Sequence, residues 1–397
     1  MAKSDVVSHS SEPIGRFSIE NTTIKRNVEA TAVSGIPLEP RVSGPTRVDH
    51  IKQRILADGF SEEVARRASQ PQRKSSLKIY QSHYSTFCDW CTERGVCAQS
   101  VTVQLVADYF VYMFTVLQRQ VATIANHRSA LASVLGKFDG VSISDHPVIS
   151  SLFSNFWAER PQVRLRIPDW ELTFVLSLLM KDPFEPPRYD TVEQKKFTTW
   201  KTAFLLALAS AKRASDLYGL SRDVHDLRFS KDGVWLRTIP GFLAKTQRPN
   251  SDSKPFFIPS HQHFAGEDTL DRLLCPVRML KYYLRFTNGH KNNERLFLKC
   301  SGEGFVLTKT ISSWLKKLIM FCYESKGRSI KAKGHEVRKM ATSWAFAGGA
   351  AVNDILLAAS WRSTTTFTSH YLVDLQTQLD GNHRISPIVA GTQTHHT

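Results

Sequence analysis

The chain has 397 residues, 42 % of them hydrophobic, enough for two globular domains of ordinary size. Lysine and arginine number 52 against 36 aspartates and glutamates, a formal net charge of +16, so a polyanionic partner is expected, nucleic acid first. A basic surface also suits anionic membranes, but the longest apolar stretch, AFLLALASA (Ala203–Ala211), is far short of the roughly 20 residues that cross a bilayer, and no membrane partner is expected.

Residues 1–45 are polar, rich in Ser, Thr, Gly and Pro, and without periodicity, which reads as a flexible tail. The opening MAKSDVVSHSSEP has no apolar h-region, so no secretory signal is expected. Residues 46–157 have a helical pattern. Leu77, Tyr80, Tyr84, Phe87 and Cys91 recur three or four apart, with Gly95 as a stop. TVQLVADYFVYMFTVL reads as the central, mostly apolar helix. In QVATIANHRSALASVLGKF, Val121, Ile124, Leu131 and Val134 or Leu135 face one way; His127 and Arg128 face another and are candidates for DNA contact. A solvated helix face is the plain alternative. Six cysteines in so long a chain do not form a dense disulfide framework, so a reduced, intracellular protein is expected. Cys88-x-x-Cys91 lacks a second ligand pair at zinc-site spacing, and no metal or other cofactor is expected.

Residues 158–170, within AERPQVRLRIPDWE, read as a basic linker; Arg164 and Arg166 could lie across a duplex, or the segment could be a plain tether. Residues 171–385 form a second, mixed domain. VEQKKFTTWKTAFLLALASAKRASDLYGLS is a long helix that turns at Ala211–Ser215 into another. GVWLRTIPGFLAKTQRPNSDSKPFFIPS reads as short strands around a Pro/Asn/Ser/Asp turn. Helices return from DTLDRLLCPVRMLKYYLRFT to TTTFTSHYL, and residues 386–397 are a C-terminal tail. The fold class is mainly α with a small antiparallel β-sheet.

Breaking a DNA strand without a metal needs fixed positive charge for the phosphate, a nucleophile in line with it and an acid for the leaving oxygen. The second domain has that inventory. Arg213 follows the apolar helix in SAKRASDL, and Lys245 lies in the expected sheet, in FLAKTQR. His335 and Arg338 form H-x-x-R, one face of one helix. Trp361 brings an indole N–H, and Tyr371 follows ten residues later. Taken singly, each has a blander reading: a helix-end cation, an edge-strand charge, a solvated pair, a core tryptophan and a packed tyrosine.

The order Arg, Lys, His-x-x-Arg, Trp, Tyr resembles the tyrosine recombinase (phage integrase) family. "LLALASAKRASDL", "CPVRML", "MATSWAFAGG" and "AASWRSTTTFTSHYL" resemble its DIRS-type retroelement branch most closely. The resemblance covers about 170–375 well and about 50–155 loosely. It implies a two-domain architecture, with 46–157 as a SAM-like core-binding domain and 171–385 as the catalytic domain. It implies double-stranded DNA as partner, a tetrameric synaptic complex of identical chains, no cofactor and, in a eukaryote, a nuclear location. Tyr371 would attack a backbone phosphate to give a 3′-phosphotyrosine and a free 5′-hydroxyl. Arg213 and Arg338 would clamp the non-bridging oxygens, and Lys245 would protonate the leaving oxygen, with Lys254 as its rival. His335 would assist proton transfer, Trp361 would buttress the phosphate where histidine is commoner, and Asp216 would orient its neighbours. A type IB topoisomerase-like nicking and closing enzyme, or a domesticated and inactive DNA-binding protein, are the alternatives.

Overall fold

The structure is a computed structural model and describes residues 46–70, 74–98, 101–161, 167–245, 254–261, 269–289, 294–300 and 306–373. The chain divides into two compact units, the first ending at Gln162 and the second starting at Val163. No helix among the described residues is long and apolar enough to cross a membrane.

The first unit is helical: α1 (Arg47–Ala57), α2 (Glu62–Ala68), α3 (Lys74–Glu93), α4 (Val103–Thr115), α5 (Val121–Leu135) and α6 (Pro147–Glu159), with a hairpin of β1 (Lys137–Phe138) and β2 (Val141–Ser142) before α6. Hydroxyls start three of these helices. Thr46 and Asp49 form a capping box on α1, Ser61 accepts the Val64 N–H, and Thr102 accepts that of Leu105. The α3 stripe read from the sequence delivers Tyr84, Phe87 and Cys91 to the core, and Trp90 joins them. Tyr109, Phe110 and Met113 of α4 and Phe153 and Phe156 of α6 close it, with the Phe114 and Phe156 rings stacked at 4.1 Å. Each such side chain contributes about 1.5–3 kcal/mol by leaving water. The β1–β2 turn holds Asp139 and Gly140 at φ 50° and 81°, the positive angles that a two-residue hairpin turn needs.

His127 does not face outward as expected. It is 5 % exposed, its Nδ1 lies 2.9 Å from the Tyr109 hydroxyl, and its ring lies 4.0 Å from that of His83. Position 127 is three past Ile124 and four before Leu131, so the helical repeat puts it on the apolar stripe. Burial lowers its pKa from 6.5 to about 4. It is a core residue and offers no ring to DNA. Arg128 is half-buried, with its guanidinium 4.3 Å from the Phe153 ring. Arg164 and Arg166 lie outside the described residues.

The second unit comprises α7 (Leu172–Leu179), α8 (Val192–Ser210), α9 (Ala214–Tyr218), strands β3 (Leu227–Phe229), β4 (Gly233–Leu236) and β5 (Phe256–Pro259), then α10 (Thr269–Leu273), α11 (Pro276–Phe286), α12 (Thr308–Glu324), α13 (Glu336–Ala347), α14 (Val352–Ala358) and α15 (Thr364–His370). A Thr191–Gln194 capping box starts α8, which is buried almost all round from Phe197 to Ser210 and packs on α11, α12 and α13. Such a helix is the axle of its domain. The strands form one antiparallel sheet in the order β3-β4-β5, pairing Leu227 with Leu236 and Val234 with Ile258. Val234, Leu236 and Ile258 point into the core. Gly233 is obligatory there, because a Cβ would sit 2.2 Å from the Ile258 carbonyl oxygen. The molecule is therefore mainly α with small antiparallel sheets.

Candidate active site

Three chain segments converge at the end of α8. Ala211, the residue after α8, takes the left-handed conformation (φ 50°, ψ 23°) and turns the chain sharply. Lys212 and Arg213 follow, and α9 starts at Ala214. The Arg213 N–H donates to Asp216 Oδ2 at 3.1 Å, and Ser215 Oγ lies 3.3 Å from Asp216 Oδ1, which fixes the turn around a carboxylate only 6 % exposed.

The second segment is the start of α13. A Cβ on Gly334 would stand 2.4 Å from the Ser312 carbonyl oxygen, so only glycine lets this turn lie against α12. His335 occupies the N-cap, and Arg338 lies in the first turn, 3 % exposed. Arg338 Nη2 donates to the Ala359 carbonyl, and its Nη1 is 4.0 Å from Asp216 Oδ2.

The third segment joins α14 to α15. Ser360 is left-handed (φ 52°), and Trp361 beside it is 7 % exposed. Ser363 Oγ accepts the Thr365 N–H and starts α15, and Phe367, 1 % exposed, anchors it. The helix ends at Tyr371, whose N–H donates to the Phe367 carbonyl at 2.9 Å. Ser343 of α13 holds this end in place: its hydroxyl donates to the Tyr371 carbonyl at 2.9 Å and accepts the Val373 N–H at 3.0 Å. The Tyr371 side chain is half-buried.

The Arg338 guanidinium carbon lies 4.5 Å from the Trp361 ring centre and 5.4 Å from that of Tyr371, and the two rings are 4.4 Å apart. Four N–H groups here are buried without a hydrogen-bond partner among the described residues: Arg213 Nη1, Arg338 Nε and Nη1, and Trp361 Nε1. A buried unpaired donor costs about 1–3 kcal/mol, more on a charged group. Burial lowers the Arg338 pKa to about 10; Arg213 adds to this, while Tyr371 and Asp216 oppose it. Two guanidiniums and an indole N–H thus stand close together, poorly solvated and with donor capacity to spare, which is what a tetrahedral oxyanion satisfies.

Of the residues singled out from the sequence, Arg213, Asp216, Arg338, Trp361 and Tyr371 come together. His335 is exposed at the start of α13; desolvation lowers its pKa, Glu336 opposes this, and Lys333 and Lys339 add to it. The neutral imidazole is therefore favoured, a proton acceptor at neutral pH. Lys245 lies past β4 rather than in the sheet, because that strand ends at Leu236; Lys245 and Lys254 are both exposed. Sequence reasoning missed Lys212, Ser343 and Ser360. Lys212 carried a signal, being a cation next to Arg213, whereas Ser343 and Ser360 act through hydroxyl contacts with segments remote in the chain and carried none. Among the described residues, no group of three His, Cys, Asp or Glu is placed to hold a metal ion.

No protein-family model and no curated protein matches the chain. Solved structures do. The post-cleavage complex of the XerH site-specific recombinase on a palindromic difH substrate matches with a TM-score of 0.51 and 12 % identity, over 77 % of this chain and 78 % of that one. The Tn1549 transposon integrase, in complex with transposon right-end DNA, matches with a TM-score of 0.50 and 15 % identity, over 83 % of this chain and 95 % of that one. What these matches show is the fold, and it is that of the tyrosine recombinases.

Proposed function

We propose that this chain is a site-specific DNA recombinase that breaks and rejoins strands through a 3′-phosphotyrosine. The observation that supports this best is the cluster of buried, unpaired donors on Arg213, Arg338 and Trp361 beside the Tyr371 ring. A protein that only bound DNA would have no use for that arrangement, which costs stability and sits beside a phenol.

The Tyr371 oxygen bonds to a backbone phosphorus while the bond to the 5′-oxygen breaks. The phenolic proton leaves to His335 or to solvent. The extra negative charge on the non-bridging oxygens falls to Arg213 and Arg338, whose planar forks suit two oxygens each. Trp361 adds an N–H and wedges the Arg338 guanidinium against Tyr371. Asp216 orients both arginines, one through its backbone turn and the other through charge. A lysine protonates the departing oxygen; Lys245 and Lys254 are the candidates read from the sequence. The phosphotyrosine keeps the energy of the broken bond, so attack by a 5′-hydroxyl reseals a strand. Double-stranded DNA is the partner in this reading, with four copies of the chain for a full exchange. The XerH and Tn1549 proteins were both solved on DNA, which supports that choice. The motif wording favours an origin in a DIRS-type mobile element.

The test is a pool of nicked duplexes with a randomised core, so placed that cleavage releases a short strand and traps the protein. Adducts are separated on a denaturing gel and their DNA is sequenced. Recovery of one related set of sequences is expected. An adduct-free pool, or loss of supercoils from any plasmid by the lone protein, contradicts the reading; the second result favours a nicking and closing enzyme.

A further inference from the structure

One helix, α13, holds the segment that carries Trp361 and Tyr371 at three places. Arg338 Nη2 donates to the carbonyl of Ala359, shortly before Trp361. The Phe346 ring lies 5.7 Å from that of Phe367, the anchor of α15. Ser343 takes the far end: its hydroxyl donates to the Tyr371 carbonyl and accepts the Val373 N–H, and both Ser343 and Val373 are buried. A buried hydroxyl within a helix commonly bonds back to its own helix. Thr342 does so, to the Arg338 carbonyl at 3.1 Å, as do Thr202 and Ser210 of α8 to the carbonyls of Thr198 and Leu206. Ser343 has one hydrogen to give, and gives it to a residue 28 positions further on.

Resting on the recombinase reading above, we propose that Ser343 is a positioning residue for the nucleophile: it fixes the Tyr371 backbone so that the phenol meets a phosphate held by Arg338. The helix α15 ends at His370, and the Tyr371 carbonyl is one of the acceptors that a helix end leaves without a partner of its own. Ser343 supplies that partner. The Tyr371 N–H is on the Phe367 carbonyl at 2.9 Å and its carbonyl is on Ser343 at 2.9 Å, so the backbone is set on both sides of the residue. Two side-chain rotations then remain, and the Trp361 ring at 4.4 Å and the Arg338 guanidinium at 5.4 Å confine them. Arg338 and Ser343 both lie in α13, separated by about 7.5 Å of helix. Clamp and nucleophile are therefore spaced by one rigid element, and Ser343 is where that spacing is passed to the tyrosine. Attack needs reacting atoms about 3–3.5 Å apart and aligned, and misplacing them by about 1 Å costs on the order of 100-fold. Both bonds of the Ser343 hydroxyl go to the tyrosine segment, so its loss acts on bond making rather than on the hold on DNA.

Two readouts separate positioning from packing. Single-turnover adduct formation on the duplex recovered from the trapping pool is followed over a range of protein concentrations, which gives a rate at saturation and a half-saturating concentration. The fluorine NMR signal of a fluorotyrosine placed at position 371 alone reports, in the free protein, its distance from the Trp361 ring. The unaltered protein is compared with Ser343→Ala, Ser343→Thr and Thr342→Val. Alanine removes both hydrogen bonds, threonine keeps a hydroxyl, and Thr342→Val takes a hydroxyl from the same helix without touching the tyrosine segment. Ser343→Ala is expected to lose about 10- to 100-fold in the saturated rate, with the half-saturating concentration within about twofold and the fluorine signal moved toward its unfolded position. Ser343→Thr should recover most of the rate and the signal together, and Thr342→Val should stay within about threefold throughout. A saturated rate in Ser343→Ala within threefold of the unaltered protein overturns the proposal. So does a lost rate with the fluorine signal unmoved, an equal loss in Thr342→Val, or a restored signal in Ser343→Thr with no return of rate. If the unaltered protein forms no adduct, the recombinase reading falls and takes this proposal with it. Adducts that form without regard to Ser343 reject the proposal alone.

Discussion

Replacing Arg338 with methionine is expected to inactivate the protein without destabilising it. The side chain is 3 % exposed, and two of its three nitrogens, Nε and Nη1, are buried without a partner among the described residues. Removing two such donors returns about 2–6 kcal/mol. Methionine forfeits the hydrogen bond to the Ala359 carbonyl, about 1.5–3 kcal/mol for a charged donor, and about 0.5–2 kcal/mol of contact with the Trp361 and Tyr371 rings. The balance centres on about 0.5 kcal/mol in favour of the variant, close to neutral. For a unit of this size that leaves Tm within about 2 °C of the unaltered protein. Cleavage loses a transition-state clamp and drops by at least about 100-fold. Calorimetry and single-turnover trapping on one preparation read both effects. A Tm lowered by more than about 5 °C, or cleavage within threefold of the unaltered protein, would refute the reasoning that the site holds strain for the phosphate.

Three further outcomes follow from the same geometry. Gly334→Ala forces a methyl to within 2.4 Å of the Ser312 carbonyl oxygen, and should cost about 1–3 kcal/mol by urea titration while shifting His335 enough to slow cleavage. His127 is neutral in the folded state down to about pH 4 but takes a proton near pH 6.5 when unfolded, so the unfolded chain binds more protons between those values. Stability is therefore lost as pH falls through that window, by about 2 kcal/mol between pH 7 and 5; a urea midpoint that drops clearly less over that range in the His127→Gln variant than in the unaltered protein checks the assignment, and equal drops contradict it. A chelator should leave adduct formation unchanged, since the arginines supply the positive charge; inhibition reversed by magnesium would point to another mechanism.

How much of this was legible in the sequence depends on the kind of signal. Apolar runs and caps were explicit: α8 is buried almost all round, α15 is capped by Ser363 and anchored by Phe367, and the turn between α8 and α9, expected at Ala211–Ser215, is Ala211–Arg213. The stripe on α3 enters the core from Tyr84 onward, while Leu77 and Tyr80 are half-buried. His127 was misread because its polarity was weighed above its position; the spacing from Ile124 to Leu131 already placed it inside. The hairpin of β1 and β2 was overlooked despite Asp139-Gly140, a strong turn signal, because its strands are two residues long and carry no alternation. The left-handed turns at Ala211 and Ser360 could not be read at all, since neither residue type favours that conformation. Those turns bring Lys212 to its contact with Ser360, which is why a cation adjacent to Arg213 went unnoticed.

The most direct check is to identify the atom that holds the DNA. The adduct trapped on the recovered duplex is digested with trypsin and nuclease, and the peptide spanning 363–384 is fragmented in a mass spectrometer. The account predicts a nucleotide on Tyr371 through its 3′-phosphate, with the released strand ending in a 5′-hydroxyl, and no such peptide from Tyr371→Phe. A nucleotide on His370 or elsewhere, or a 5′-phosphate linkage, would contradict it.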